Sequence, residues 1–310
     1  MAHALDRPDA NPLRLLVVSN ADAGSNDEEA VDAACRVWRD AGAEVEVVAT
    51  ESASGLREVV RGVADEVLVA AGGDGSIHAV VQAAADTERL GDLVIALLPL
   101  GTGNDLAHGL GIPREPAAAA RSLLDGSPRP VDLLVDQDGT VAVNAVNLGI
   151  GAVASERAAG LKPSLGPAAY PVGAVGAGMS EPGWQLSITV DGEVVVGGEA
   201  VLHVVVGNGP SIGGGTSAAP GARFDDGMAE VVVSLATGGV ARLGYATDFQ
   251  RGTHTEREDV VVARGSDIRI EGDEHPWNVD GELPPPRADS HWRMLPGVWT
   301  LRHPGNTPDV

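Results

Sequence analysis

The stretch "VAAGGDGSIHAVVQAAAD", Val69 to Asp86, decides the fold. Its start completes the short apolar run "EVLVAA" (66–71), which reads as a buried strand, and the residues after Ser76 read as a helix. Between them Gly72, Gly73 and Gly75 surround Asp74, leaving a loop with no side chains except a carboxylate and the Ser76 hydroxyl. One glycine is enough to turn a chain, whereas three let something large and anionic come very close.

Working outward, the same alternation repeats. "LRLLVVSN" (13–20) reads as a strand. A helix follows in "NDEEAVDAACRVWRDAG" (26–42), with Val31, Ala34, Cys35 and Trp38 at helical spacing, capped by Ser25 or Asn26 and ended by Gly42. "AEVEVVA" (43–49) and "LVIALLPL" (93–100) are further strands, and "GLREVVRGVA" (55–64) and "EPAAAARSLLDG" (115–126) further helices. Such alternation predicts an α/β domain with a doubly wound, Rossmann-like parallel sheet. Ligands of these sheets bind beyond the carboxyl ends of the strands, and "GGDGS" (72–76) and "GTGND" (101–105) both leave strands at that edge.

Past Pro130 the texture changes to short β-runs with turn dipeptides, as in "VDLLVDQDGTVAVNAVNL" (131–148) and "WQLSITVDGEVVVGGEAVLHVVVGN" (184–208), which predicts a C-terminal antiparallel β-sandwich. The expected division is a loose tail over 1–12, a nucleotide-binding α/β domain over 13–129 and a β-sandwich substrate domain over 130–294, with 295–310 packing back on the first domain. Residues 155–180 and 239–254 carry further helical potential.

The composition narrows the function classes. Forty-four acidic against 21 basic residues give a net charge of −23, and Lys162 is the single lysine. This balance argues against nucleic acid as a partner and disfavours docking on anionic lipid at low salt. A salt-adapted source and a GC-rich genome that favours Arg over Lys both explain it. One cysteine, Cys35, excludes an internal disulfide and reads as core. With no run near the roughly 20 apolar residues of a membrane span and no leader-like segment, the chain reads as cytoplasmic.

A G-x-x-x-x-G-K-[ST] loop is absent, so a nucleotide site must use other means. The turn after "LLPL" supplies one: Gly101, Thr102 and Gly103 precede Asn104 and Asp105 where a helix begins, and its N–H groups suit a phosphate. Asp74 and Asp105, at adjacent strand ends, can together hold hydrated Mg²⁺. "DGE" occurs twice. In "SITVDGEVVVGG" (187–198) it is a hairpin turn with a solvated Glu193, whereas in "HPWNVDGELPPP" (275–286) the prolines prevent a paired strand from following and leave Glu282 a candidate base.

On these segments the chain resembles the lipid kinases with a diacylglycerol kinase catalytic domain, which include sphingosine kinases and are distantly related to NAD kinases. The resemblance is carried by "GGDGS", "PLGTGNDLAHGLGIP", "RPVDLLVD", "VNLGIGAVAS", "LGPAAYPVGAV", "VVVGNGPSIGGGTSAAPGARFDDGMAEVVV" and "WNVDGELPPP", in order. It implies an ATP- and Mg-dependent phosphotransferase acting on a hydroxyl of a lipid such as diacylglycerol or a sphingoid base, with room for peripheral membrane contact and a homodimer. ATP would lie against Asn20, Gly72, Gly73, Gly75, Ser76, Gly101, Thr102, Gly103, Asn104 and His108. Asp74, Asp105 and Asp132 would organise Mg²⁺, Asp225 and Asp226 would hold a second, structural Mg²⁺, and Glu282 would take the acceptor's proton. The chain departs from the family pattern at His78 and Ala79, where many members carry Asn-Glu, and at His108, where Arg is usual. Its first loop has no basic residue between Arg14 and Arg36. A catalytically weak nucleotide-binding or regulatory protein of the same fold therefore stays open beside the kinase.

Overall fold

The computed structural model describes residues 12–21, 24–150, 152–153 and 183–304. The helical reading of 155–180, Lys162 and most of the N-terminal tail lie outside the described residues.

Strands β1 (Arg14–Asn20), β2 (Glu44–Thr50), β3 (Val67–Gly72) and β4 (Val94–Pro99) form a parallel sheet in the order β2-β1-β3-β4. The alternation of β3 explains its two-sided burial. Leu68 and Ala70 join Ile77, Val81 and Ile95 under helices α2 (Ala53–Gly62) and α3 (Asp74–Asp86). Val67, Val69 and Ala71 join Leu15, Cys35, Trp38 and Leu123 under α1 (Ser25–Asp40) and α5 (Pro116–Asp125). Cys35 is 1% exposed, as its core reading requires. The α1 cap differs from expectation. The helix begins at Ser25 on Gly24, whose carbonyl accepts from the amides of Asp27 and Glu28, so Ser25 already lies inside the first turn.

The sheet does not stop at β4. The long strand Arg287–His303 runs parallel to β4 at Thr300 and Leu301 and antiparallel to Ser127–Asp136 along most of its length. It then continues into Asp267–His275, Trp184–Val190 and Glu193–Val201, and with the short strand Val141–Ala142 beside Ser127–Asp136 the sheet has ten strands among the described residues. A bulge between Leu295 and Trp299 lets this one strand serve both halves. Ser127–Asp136 likewise runs unbroken through Pro130. The second sheet is antiparallel, in the order Val260–Gly265, Ala229–Ser234, His203–Gly207, Ala145–Gly149, Trp277–Val279. Its inward residues, among them Val146, Leu148, Val204, Val206, Val231 and Val233, meet Leu134, Ile188, Ile268, Ile270 and Trp292 of the large sheet. The expected architecture, an α/β domain with a mostly parallel sheet followed by an antiparallel β-sandwich, is the one observed. Gly239–Arg251 forms the helix expected there.

Candidate functional site

The two glycine loops meet at the carboxyl edge of the parallel sheet. Gly73 and Gly101 pack backbone against backbone: a Cβ on Gly101 would stand 2.5 Å from the Gly73 Cα. A Cβ on Gly103 would stand 2.6 Å from Asp74 Oδ2. These glycines are therefore required by close approach rather than by turn geometry.

Asp74, the first residue of α3, spans the junction. Its Oδ2 accepts from the Asn104 amide and its Oδ1 from the Asp105 amide, each at 2.8 Å. Asn104, in the left-handed region at φ 56°, braces its own loop, with Oδ1 accepting from the Gly101 amide at 3.1 Å and Nδ2 donating to the Gly101 carbonyl. The helix expected to begin at Asp105 is a single turn, α4 (Asp105–Gly109), and its leading amides are satisfied by Asp74. Asp105 reaches further: it is buried, and its carboxylate accepts from the Gly214 and Gly215 amides at 2.8–3.1 Å. A chain of carboxylates and amides thus runs from α3 through α4 to the triple-glycine turn 213–215 of the sandwich.

Burial and the charge of Asp105 push the Asp74 carboxyl up to about 6, against the opposing effect of its two amide bonds. Each Asp74 oxygen accepts one bond and retains acceptor capacity. Two carboxylates, one buried and one partly so, with no counter-cation among the described residues suit a divalent ion. Among the described residues no three acidic, His or Cys side chains converge, so such an ion would complete its shell with water and phosphate oxygens, as Mg²⁺ commonly does.

Beside the loops lies a crevice of about 540 Å³ lined by Asn20, Gly72, Gly73, Ser76 and Gly101, within the range of small-molecule sites. Asp27, Glu28 and Asp32 of α1 line its other wall, and among the described residues no Lys or Arg does. A cation nearby is Arg114, which donates to the Thr102 carbonyl at 2.7 Å. Among the described residues the Thr102 and Gly103 amides have no protein acceptor. His108 is exposed, its ring against Gly215.

Glu282 is exposed and close to the loop, its Oε1 3.8 Å from where a Gly75 Cβ would stand. Here the expected contrast between the two "DGE" copies fails. Both are two-residue turns with left-handed Asp and Gly: Asp191 and Gly192 at φ 48° and 86°, Asp280 and Gly281 at 49° and 102°. The second closes with paired bonds between Val279 and Glu282. The prolines stop the hairpin from lengthening but do not prevent the turn. Location separates the copies, since Glu193 follows the turn between Trp184–Val190 and Glu193–Val201 and is exposed.

Asp132 stands elsewhere than the sequence suggested. Its oxygens accept from the Gly297 amide at 2.7 Å and the Gly227 amide at 2.6 Å, and it lines a second crevice with Asp225 and Asp226. In that crevice Asp226 pairs with Arg264 and Asp225 lies 3.5 Å from Arg223. Carboxylates already paired with arginines and amides leave a divalent cation little to neutralise, and no metal is assigned to them. The residues missed by sequence reasoning are Asp280, Arg114, Gly214 and Gly215. Only the run "IGGGTS" (212–217) carried a signal for any of them.

Residues 14–135 match the diacylglycerol kinase catalytic domain, and residues 144–302 match the YegS C-terminal NAD kinase β-sandwich-like domain. A Stenotrophomonas maltophilia protein named "Probable lipid kinase YegS-like" is 33% identical over 308 residues, covering 95% of this chain and 97% of that one. A Bacillus subtilis protein named diacylglycerol kinase is 28% identical over 235 residues, covering 75% and 73%. A solved structure titled as a diacylglycerol kinase of Bacillus anthracis superposes with a TM-score of 0.72 at 24% identity, covering 94% of this chain and 96% of that one, and shares the fold.

Proposed function

The chain belongs to the diacylglycerol kinase catalytic-domain family, and from that premise we propose that it transfers the γ-phosphoryl group of ATP to a hydroxyl of a lipid such as diacylglycerol or a sphingoid base. The observation that carries the reading is the junction itself: Asp74 bound to the Asn104 and Asp105 amides, beside a glycine cradle, with Glu282 over Gly75.

ATP lies in the crevice lined by Asn20, Gly72, Gly73, Ser76 and Gly101, its phosphates toward the amides of Thr102 and Gly103, which follow Gly101 out of that crevice. Asp74 and Asp105 hold Mg²⁺, which when bound offsets phosphate charge that an acidic crevice would otherwise repel. Glu282 accepts the proton of the attacking hydroxyl. Because phosphoryl transfer passes a loose transition state, positioning and charge neutralisation carry most of the rate and the base adds about 10²–10⁴-fold. Among the described residues no helix is long and apolar enough to cross a membrane.

The test is incubation with γ-labelled ATP and Mg²⁺ against a panel of extracted lipids over a salt series. Label in a lipid hydroxyl supports the reading. ATP binding by calorimetry without label in any lipid would replace it with the nucleotide-binding regulatory role, which the acidic, cation-free crevice favours.

A further inference from the structure

Beyond the loops, α3 makes a second contact with the half of the molecule that carries Glu282. Its residues His78 and Gln82 share one face, a turn apart. Gln82 Oε1 accepts from the Val141 amide at 2.9 Å and its Nε2 donates to the Gly139 carbonyl at 3.1 Å. His78 Nδ1 lies 3.0 Å from Asp280 Oδ2, with side chains 13% and 2% exposed. Asp280 also accepts from the amides of Val143, Asn144 and Ala145 at 2.6–3.0 Å, and it occupies the first corner of the turn that ends in Glu282. Three amide bonds already satisfy this carboxylate, so the imidazole is not needed to prevent an unpaired buried group. Its contribution is a charge-assisted link between α3 and the turn.

We infer that His78 is a positioning residue for phosphoryl transfer: through Asp280 it holds the Glu282 turn over the Gly75 end of the phosphate loop. The inference rests on Glu282 as the general base. Charged groups facing His78 are Asp280 and Glu282 from the turn, with Asp74 one helical turn back on α3. Burial works against the imidazolium, but the Asp280 bond and the charges of Asp280 and Glu282 raise its pKa overall. The link weakens as pH rises through that raised value.

His78→Leu removes the bond. His78→Asn keeps an N–H donor near the Nδ1 position but does not titrate. Turnover, KM for lipid and ATP across pH 5.5–8.5, and amide exchange of a peptide containing 279–282 are measured on the full chain. For His78→Leu the expected results are exchange and kcat changes of about tenfold or more, faster and slower respectively, with KM for ATP within about twofold. His78→Asn is expected to recover most of kcat near neutral pH and to lose the alkaline limb of the wild-type profile. Unchanged exchange, or faster exchange with unchanged kcat, overturns the inference. Should the wild-type chain phosphorylate no lipid, the kinase reading fails, and exchange alone then decides whether His78 holds the turn.

Discussion

Gly73 and Gly101 lie so close that no side chain fits between them, since a Cβ on Gly101 would stand 2.5 Å from the Gly73 Cα and one on Gly73 would stand 3.0 Å from the Gly101 Cα. Backbone atoms cannot step aside as the end of a flexible side chain can. Gly101→Ala is therefore expected to cost about 1–3 kcal/mol in urea unfolding and to weaken ATP binding, while Gly73→Ala costs less. Equal stability of both variants and the wild type would show that the loops separate freely.

Burial and the charge of Asp105 raise the pKa of the Asp74 carboxyl. Its folded pKa, about 6, lies above the ordinary carboxyl value of 3.8, so the folded state is favoured by its proton below about 4 and loses that advantage as pH rises through 6. Asp74→Asn is expected to gain stability relative to wild type by about 2–3 kcal/mol between pH 4 and pH 7, superimposed on a constant cost for one lost amide bond. The same variant is expected to lose phosphoryl transfer. Urea melts at the two pH values and a turnover assay check both, and a pH-independent difference would mean that the carboxyl titrates normally.

The paired turns provide an internal control. Glu282→Gln is expected to lower kcat by about 10²-fold or more with little change in ATP affinity. Glu193→Gln, in the same type of turn, should leave turnover unchanged and stability within about 0.5 kcal/mol. A loss confined to Glu193→Gln would sink the base assignment.

Inside the sandwich, His203 is 4% exposed and its Nδ1 lies 2.9 Å from the Tyr245 hydroxyl. Burial, with a smaller contribution from His254, lowers its pKa from 6.5 to about 3. The unfolded chain takes a proton below pH 6.5 while the folded chain does not, so stability falls as pH drops through that window. Between pH 6.5 and 4 the wild type is expected to lose about 3 kcal/mol more than His203→Phe, which itself pays a pH-independent cost for the unpartnered Tyr245 hydroxyl. Parallel acid-denaturation curves would show that His203 takes up its proton in the fold.

Much of the fold was legible because it rests on local signals. The alternation of β3 and the spacing of Val31, Ala34, Cys35 and Trp38 place residues on faces wherever the chain goes, and both glycine loops were readable as places of close approach from their lack of side chains. The role of Asp74 was only half legible. A carboxylate between glycines announces a metal or a turn, but that it caps α4 depends on a loop 30 residues away in sequence.

What the sequence by itself determined, then, is the order of elements, the parallel sheet, the sandwich and the two loops, since each follows from hydrophobic period and turn chemistry within a short window. Tertiary structure decided the rest: that Arg287–His303 joins the two halves, that Asp132 leaves Asp74 for Gly227 and Gly297, and that of two similar turns only the second sets its Glu, Glu282, beside Gly75. The reason is that a residue's local pattern sets its conformation, whereas its chemistry is set by neighbours brought from distant parts of the chain. Asp191 and Asp280 adopt nearly the same backbone angles, and only the fold sets the second beside His78.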